Sequence, residues 1–274
     1  MHKTPEHHFL IRIAFLGFRF HGWQEQPGQR TVAGMIRKTF RFVLPDTPVK
    51  ILGAGRTDAR VSARDFAVQV IARALELPPF GVLADVLNEN LPPDIRVNSI
   101  RPVPPGFNPI RDCASKTYRY YFQTGNHPDA YWTPFVGYLP GSPDITRMRE
   151  AAPLFEGMHN FRCFTASPSE DKKYVRRVTR CRLGVGSPMD GVVAGKDPEG
   201  YTGFTAHMLE VRAPGFGRNQ VRLMMAALAA VGRQELQPET LVKVLDEGQG
   251  WMSDSIVPAS GLHLMHVEFK NGTA

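Results

Sequence analysis

Apolar and polar residues alternate from Phe9 to Phe15, with Phe9, Ile11, Ile13 and Phe15 on one side and Leu10, Arg12 and Ala14 on the other. This period of two predicts a first strand. The residues before it, including His7 and His8, read as a solvated end with too few ligands for a metal. The period then changes. Val32, Met35, Ile36, Thr39, Phe40 and Val43 recur at helical spacing behind Thr31, a residue suited to capping, while Arg37, Lys38 and Arg41 fall on the solvated face. Val49, Ile51 and Leu52 predict a short strand, and Phe66, Val68 and Val70, alternating with Ala67, Gln69 and Ile71, a largely buried one. After Pro78-Pro79, Val82, Leu83, Val86 and Leu87 form a short helical stripe, and Ile95, Val97 and Ile100 a further strand. The order is β-α-β-β-α-β, an α+β layer with an antiparallel sheet. Five prolines or glycines between 101 and 112 mark a junction, so the expected domains are 1–110 and 111–274.

The second half repeats the rhythm without a repeat in sequence. Lys116 to Phe122 reads as a strand, with Tyr118, Tyr120 and Phe122 on one face and Thr117, Arg119 and Tyr121 on the other. A helix is expected from near Thr146 through Phe155, stopped by Gly157. Strands are expected over Val175–Val185 and Tyr201–Val211. Phe216 to Arg222 leads into a small-residue helix, Leu223 to Val231. A short helix around Leu241–Leu245 and a last strand, Leu262–Phe269, complete the chain.

Composition narrows the picture. In 274 residues, 42% are hydrophobic and 22% charged, which predicts a folded globular protein. The three cysteines, Cys113, Cys163 and Cys181, are far apart and odd in number. They predict neither a zinc site nor a disulfide framework, and fit a reducing, cytoplasmic compartment. There is no apolar leader near the start and no apolar run long enough to span a membrane, so no membrane partner is expected. The net charge of +7 permits a polyanionic partner, nucleic acid above all.

Candidate chemistry centres on Ile51-Leu-Gly-Ala-Gly-Arg-Thr-Asp58. Here a short strand enters a Gly-Ala-Gly turn that delivers an arginine, a hydroxyl and a carboxylate in succession. Gly53 and Gly55 permit positive φ and close approach of another backbone, as a tight ligand-facing loop requires. Arg56 and Asp58 can project on one side, with Thr57 between them. The same residues also suit a plain turn whose Asp accepts backbone N–H groups and whose Arg is solvated. The aromatic loop Gly17 to Gln24 could stack on bases or simply fold over as a hydrophobic loop.

Several stretches together resemble the tRNA pseudouridine synthase A (TruA) family. Gly53-Ala-Gly-Arg-Thr-Asp58, continuing to Ala63, matches its catalytic-aspartate motif, and Gly17–Gln24 its N-terminal loop. Asn88–Ile95 matches its Leu-Pro-x-Asp-Ile segment, and Phe107–Tyr120 the segment of its active-site tyrosine. Phe216–Arg222 matches Phe-x-x-x-x-Val-Arg, and Gly261-Leu262-x-Leu264-x-x-Val267 its C-terminal motif. These matches span roughly the whole chain in order. Two departures stand out: Arg60 and Ser62 occupy positions usually Gly and His, and Arg218-Asn219-Gln220 stands where bacterial members often carry His-His-Met.

The resemblance implies two RRM/ferredoxin-like subdomains, each an antiparallel sheet with helices on one face, forming one extended sheet with a central cleft. It implies an isomerase that converts uridine to pseudouridine at tRNA positions 38, 39 and 40, as a homodimer, with no cofactor and no metal. Asp58 is then nucleophile or base and Arg222 its guanidinium partner. Tyr118 stacks on the uracil and assists at C5, and Arg56 fills the place of the displaced base. Gly55, Thr57, Arg60 and Leu264 complete the substrate-binding set. Arg64, Lys172, Lys173, Arg176 and Arg177 are expected backbone contacts, or solvated charges. Two other readings remain: a synthase with shifted RNA targets, and an RNA-binding protein whose catalysis has lapsed. A metal-dependent nuclease would need clustered carboxylates, which the sequence lacks.

Overall fold

The computed structural model describes residues 4–188 and 206–270. In chain order its elements begin with β1 (Glu6–Phe15), α1 (Val32–Val43), β2 (Val49–Gly53), β3 (Ser62–Arg73), α2 (Phe80–Asn90) and β4 (Ile95–Pro102). They continue with β5 (Cys113–Gly125), β6 (Gly137–Pro140), α3 (Ile145–Ala151), β7 (Gly157–Asn160), β8 (Val175–Val178) and β9 (Arg180–Gly186). The last are β10 (Ala206–Ala213), α4 (Gln220–Gly232), α5 (Pro238–Glu247) and β11 (Leu262–Phe269). The chain is mixed α+β and divides into two compact units, Met1–Lys116 with Leu264–Ala274, and Thr117–His263.

In the first unit the β-α-β-β-α-β order is present. β1 pairs antiparallel with β3 and β4, and β2 pairs antiparallel with β3. The register sets Phe9 opposite Val70, Ile11 opposite Val68 and Ile13 opposite Phe66. Facing residues share a side of the sheet, so the two apolar sets merge into one buried surface. Phe9 meets Phe40 of α1 at 6.5 Å and Phe80 of α2 at 5.3 Å between ring centroids. Each fully buried side chain of this size contributes roughly 1.5–3 kcal/mol. Thr31 caps α1 as expected, its Oγ1 accepting from the Gly34 N–H at 3.3 Å. β1 begins earlier than the alternation implied. His7 and His8 are strand residues opposite Ala72 and Ile71, because β3 runs on to Arg73 and supplies partners.

The opposite side of this sheet is covered by the proline-rich stretch. Val103 and Phe107 are buried, Gln69 Nε2 donates to the Phe107 carbonyl at 2.7 Å, and the Phe107 ring meets Phe269 edge-on at 5.0 Å. Its far end is pinned by Asp112, which takes Nε and an NH2 group of Arg111 at 2.8 and 3.0 Å and the Asn108 N–H at 2.8 Å. The Arg111 guanidinium above all holds the Asp112 carboxyl down to about 2.

In the second unit β5, β10 and β9 follow one another across the sheet, and β9 pairs antiparallel with β10. An all-antiparallel sheet is not what forms, for β6 runs parallel to β5. Parallel neighbours need a crossover longer than a hairpin turn, and residues 126–136 provide it. The single strand expected over Val175–Val185 breaks at Thr179, whose N–H and Oγ1 both donate to the Arg212 carbonyl. β8 pairs with β7 in a separate ribbon, while β9 joins β10. Of the strand expected over Tyr201–Val211, residues 201–205 lie outside the described residues, as do 189–200 of the loop before it. Pro153 ends α3 early and leaves a single tighter turn, Ala152–Phe155. Every residue of α4 except Arg222 is buried.

Candidate active site

The Asp58 turn lies in the first unit between β2 and β3, and its backbone is held from two directions. The Ala54 N–H donates to the Ala67 carbonyl at 2.8 Å, which ties the turn to β3. On the other side the loop Gly17–Trp23 folds against it. The Trp23 N–H donates to the Thr57 carbonyl at 3.2 Å, and the Arg60 N–H donates to the Phe20 carbonyl at 3.0 Å. Gly22, at φ +89, comes so close that a Cβ there would lie 2.5 Å from the Thr57 oxygen. A Cβ at Gly17 would lie 1.9 Å from the Val61 oxygen. Side-chain burial alternates along the turn: Arg56 is exposed, Thr57 buried and Asp58 half-buried. The Thr57 Oγ1 has no hydrogen-bond partner among the described residues.

Neither glycine of the Gly-Ala-Gly turn adopts positive φ. Both allow close approach instead. A Cβ at Gly53 would meet the Trp23 indole at 2.6 Å, and one at Gly55 would meet the Lys116 Nζ at 2.9 Å.

The aromatic loop is anchored in turn by Asp94, from the Leu-Pro-Pro-Asp-Ile segment. Its nearly buried carboxylate accepts from Arg19 at 2.8 Å and, on both oxygens, from Arg30 at 3.0 and 3.1 Å. The Leu16 N–H donates to the Asp94 carbonyl at 3.0 Å, and Arg30 stacks on the Phe20 ring at 4.3 Å. Pattern reasoning missed this hub, because its members are 64 and 75 residues apart in sequence.

The second unit holds the aromatic and cationic groups. Tyr118 is half-exposed on β5 and meets Phe216 edge-on at 5.3 Å, whereas Tyr120 and Phe122, along the same strand face, are fully buried. Tyr120 donates to the Pro258 carbonyl at 2.9 Å. Burial pushes its hydroxyl pKa well above the ordinary value, with the Arg222 charge pulling slightly the other way. Arg222 sits in the first turn of α4, where the helix dipole disfavours a cation. Nε donates to the Val257 carbonyl at 2.8 Å and an NH2 group to Asn219 Oδ1 at 3.2 Å, which helps to hold it there. Leu264, also singled out above, is buried in β11. Among the described residues no three His, Cys, Asp or Glu gather as a metal site, and no helix is long and apolar enough to cross a membrane.

Comparison with known proteins gives this arrangement a setting. A family model described as tRNA pseudouridine synthase matches residues 151–270. A tRNA pseudouridine synthase A of Limosilactobacillus fermentum is 30% identical over 96% of this chain and 96% of its own length. The proteins of that name from Methylacidiphilum infernorum and Geotalea uraniireducens are 32% and 33% identical, over 95% and 93% of this chain and 95% and 96% of their own lengths. The chain belongs to the tRNA pseudouridine synthase A family.

Against that family the departures now have local causes. Arg60 does take the left-handed conformation, φ 68, that a glycine would suit, and its guanidinium stacks 5.6 Å from the Phe18 ring centroid. Ser62 is buried, and its Oγ accepts from the Gly17 N–H at 3.0 Å, so a short side chain at this position fastens the aromatic loop. In Arg218-Asn219-Gln220, Asn219 takes φ 58, a conformation asparagine tolerates, and Gln220 Oε1 accepts from the Gly217 N–H at 2.7 Å. Arg218 remains exposed.

Proposed function

We propose that this protein isomerises uridine to pseudouridine in the anticodon stem-loop of tRNA. The observation that carries the reading is the Asp58 turn, a half-buried carboxylate on a doubly fastened backbone beside an exposed arginine, in a chain of this family. The reaction breaks the uracil N1–C1′ bond, turns the base, and forms C5–C1′. N1 gains a proton, C5 loses one, and no oxidant or reductant is consumed.

In this reading Asp58 acts on the ribose as nucleophile or base. To do so it must be ionised, and Arg222 is its counter-ion. A guanidinium within a few ångströms lowers a carboxylate pKa by roughly one to three units. Tyr118 stacks on the uracil, and its hydroxyl assists loss of the C5 proton. Arg56 fills the gap left by the flipped base, whose extrusion costs a few kcal/mol. Gly55 shapes the surface against the nucleotide and Arg60 takes a phosphate, while Thr57 and Leu264, both buried, make no direct contact with it. The same reading makes each unit RRM/ferredoxin-like and the working enzyme a cytoplasmic homodimer on tRNA.

Pseudouridine formation expels the C5 hydrogen, so C5-tritiated tRNA should release tritium with the wild-type protein. Asp58→Ala should release none while still binding tRNA. Full turnover by Asp58→Ala would sink the assignment of the nucleophile. A wild type that binds tRNA but releases no tritium would leave an RNA-binding protein. A second reading, with shifted RNA targets, is favoured by Arg60 and by Arg218-Asn219-Gln220, and mapping the modified positions decides it.

A further inference from the structure

Lys116 lies at a place that its sequence neighbours do not announce. It is on β5, two residues before Tyr118, and its side chain reaches the Asp58 turn. Nζ donates to the Ala54 carbonyl at 2.7 Å and sits where a Cβ of residue 55 would come within 2.9 Å of it. Burial lowers its pKa below the ordinary lysine value, and no carboxylate is among the causes that shift it. An ammonium in such surroundings is costly, since a single carbonyl repays only part of its lost hydration. A methionine of similar length would fill the same space without that cost.

The position of the charge says what the cost maintains. The Ala54 N–H is already bonded to β3, so with Lys116 on its carbonyl both backbone polar groups of Ala54, in the two peptide units flanking its Cα, are fixed. Gly55 follows directly, outside the left-handed region, and is free of a Cβ only to the benefit of the ammonium beneath it. Arg56 and Asp58 extend from that point. A shift at Ala54 therefore acts on the carboxylate from the β2 side of the turn, against the hold of the Thr57 and Arg60 bonds on the other.

We infer that Lys116 is a positioning residue for the reaction: its ammonium, seated under Gly55 and bonded to the Ala54 carbonyl, sets the turn that aims Asp58. This rests on the pseudouridine synthase reading above. It explains Gly55 as space for an ammonium rather than as a conformational need, and it makes Gly55 and Lys116 one unit.

The test is a double-mutant cycle in the full-length protein, read by tritium release from C5-labelled tRNA at varied tRNA concentration. Lys116→Met should lower kcat about 100-fold, the scale of a misplaced reacting group, with KM for tRNA changed less than about threefold. Gly55→Ala, which pushes a methyl into the ammonium, should lower kcat similarly with little change in the unfolding midpoint. In the Lys116→Met background the added methyl has room, so Gly55→Ala should then cost little more, and the two effects should be strongly non-additive. If Lys116→Met proves unfolded, Lys116→Leu, which also removes the donor to the Ala54 carbonyl, carries the test in its place. A kcat within about twofold of wild type in whichever variant is folded overturns the inference, as does a rise in KM at constant kcat or simple multiplication of the two effects. Because each variant is scored against an active wild type, a wild type without tritium release would instead overturn the underlying reading.

Discussion

Around Asp58 the backbone is fixed at several points, while Arg222 is held by bonds at the tip of its side chain. The Asp58 turn is tied to β3 through Ala54, to the aromatic loop through Thr57 and Arg60, and closed by glycines whose missing Cβ atoms let main chain meet main chain. Arg222 stands on an ordinary buried helix, and its own nitrogens find the Val257 carbonyl and the Asn219 side chain. The difference follows from the side chains. A carboxylate on so short a side chain moves with its peptide, so placing the peptide does much of the aiming. A long guanidinium can be aimed by hydrogen bonds at its tip. Substitutions in the two units should therefore fail in different ways.

The largest effect on stability is expected at Gly22. Alanine there must bear a positive φ and a contact 2.5 Å from the Thr57 oxygen, which together cost roughly 2–4 kcal/mol. Denaturant unfolding of Gly22→Ala should show that loss together with lost turnover. A Gly22→Ala protein with wild-type stability would mean the aromatic loop does not fasten the turn.

Arg222→Met should separate the two quantities. It leaves the Val257 carbonyl without this donor, worth about 1 kcal/mol, yet removes the charge proposed to stabilise the Asp58 carboxylate, for which a loss of about 100-fold in kcat is expected. A variant that unfolded as readily as Gly22→Ala would erase the contrast between the units. An unchanged kcat would remove Arg222 from the reaction.

Acid should find the first unit through Asp112. Its folded pKa, about 2, lies below the ordinary carboxylate value of 3.8, so the stability it contributes is present above the ordinary value and fades as pH falls toward the folded one. The urea midpoint of wild type should drop through this window, and that of Asp112→Asn should start lower and fall less there. Parallel curves would show that the ion pair with Arg111 adds nothing.

How much of this was legible in the sequence depended on range. β1, β3, β11 and α1 with its Thr31 cap follow from local periodicity, because burial of one face is decided within a few residues. The Asp58 turn was found as a motif, yet the purpose of its glycines was not. Gly53 makes room for Trp23 and Gly55 for Lys116, and nothing in the local sequence says that a ring and an ammonium arrive there from 30 and 61 residues away. The Asp94 hub was hidden for the same reason. The break at Thr179 was missed because Val175–Val185 has the composition of one strand, and the two neighbours that divide it come from different parts of the chain. Pro153, by contrast, was in plain view and should have ended α3 where it does.

Arg60 offers the smallest stability effect and the sharpest comparison between structure and substrate. Replacing it by glycine relieves a left-handed arginine, a gain of about 1 kcal/mol. Against this stand the stacking on Phe18, about 0.5–1 kcal/mol at an exposed site, and the extra freedom of glycine in the unfolded chain, of similar size. The terms nearly cancel, so Arg60→Gly should unfold within about 1 kcal/mol of wild type. If the guanidinium takes a phosphate, the variant should bind tRNA more weakly, and the slope of log affinity against log salt should fall by about one. A slope equal to wild type would leave the Phe18 contact as the whole reason for the arginine, and the strained backbone at this position would then serve the aromatic loop alone.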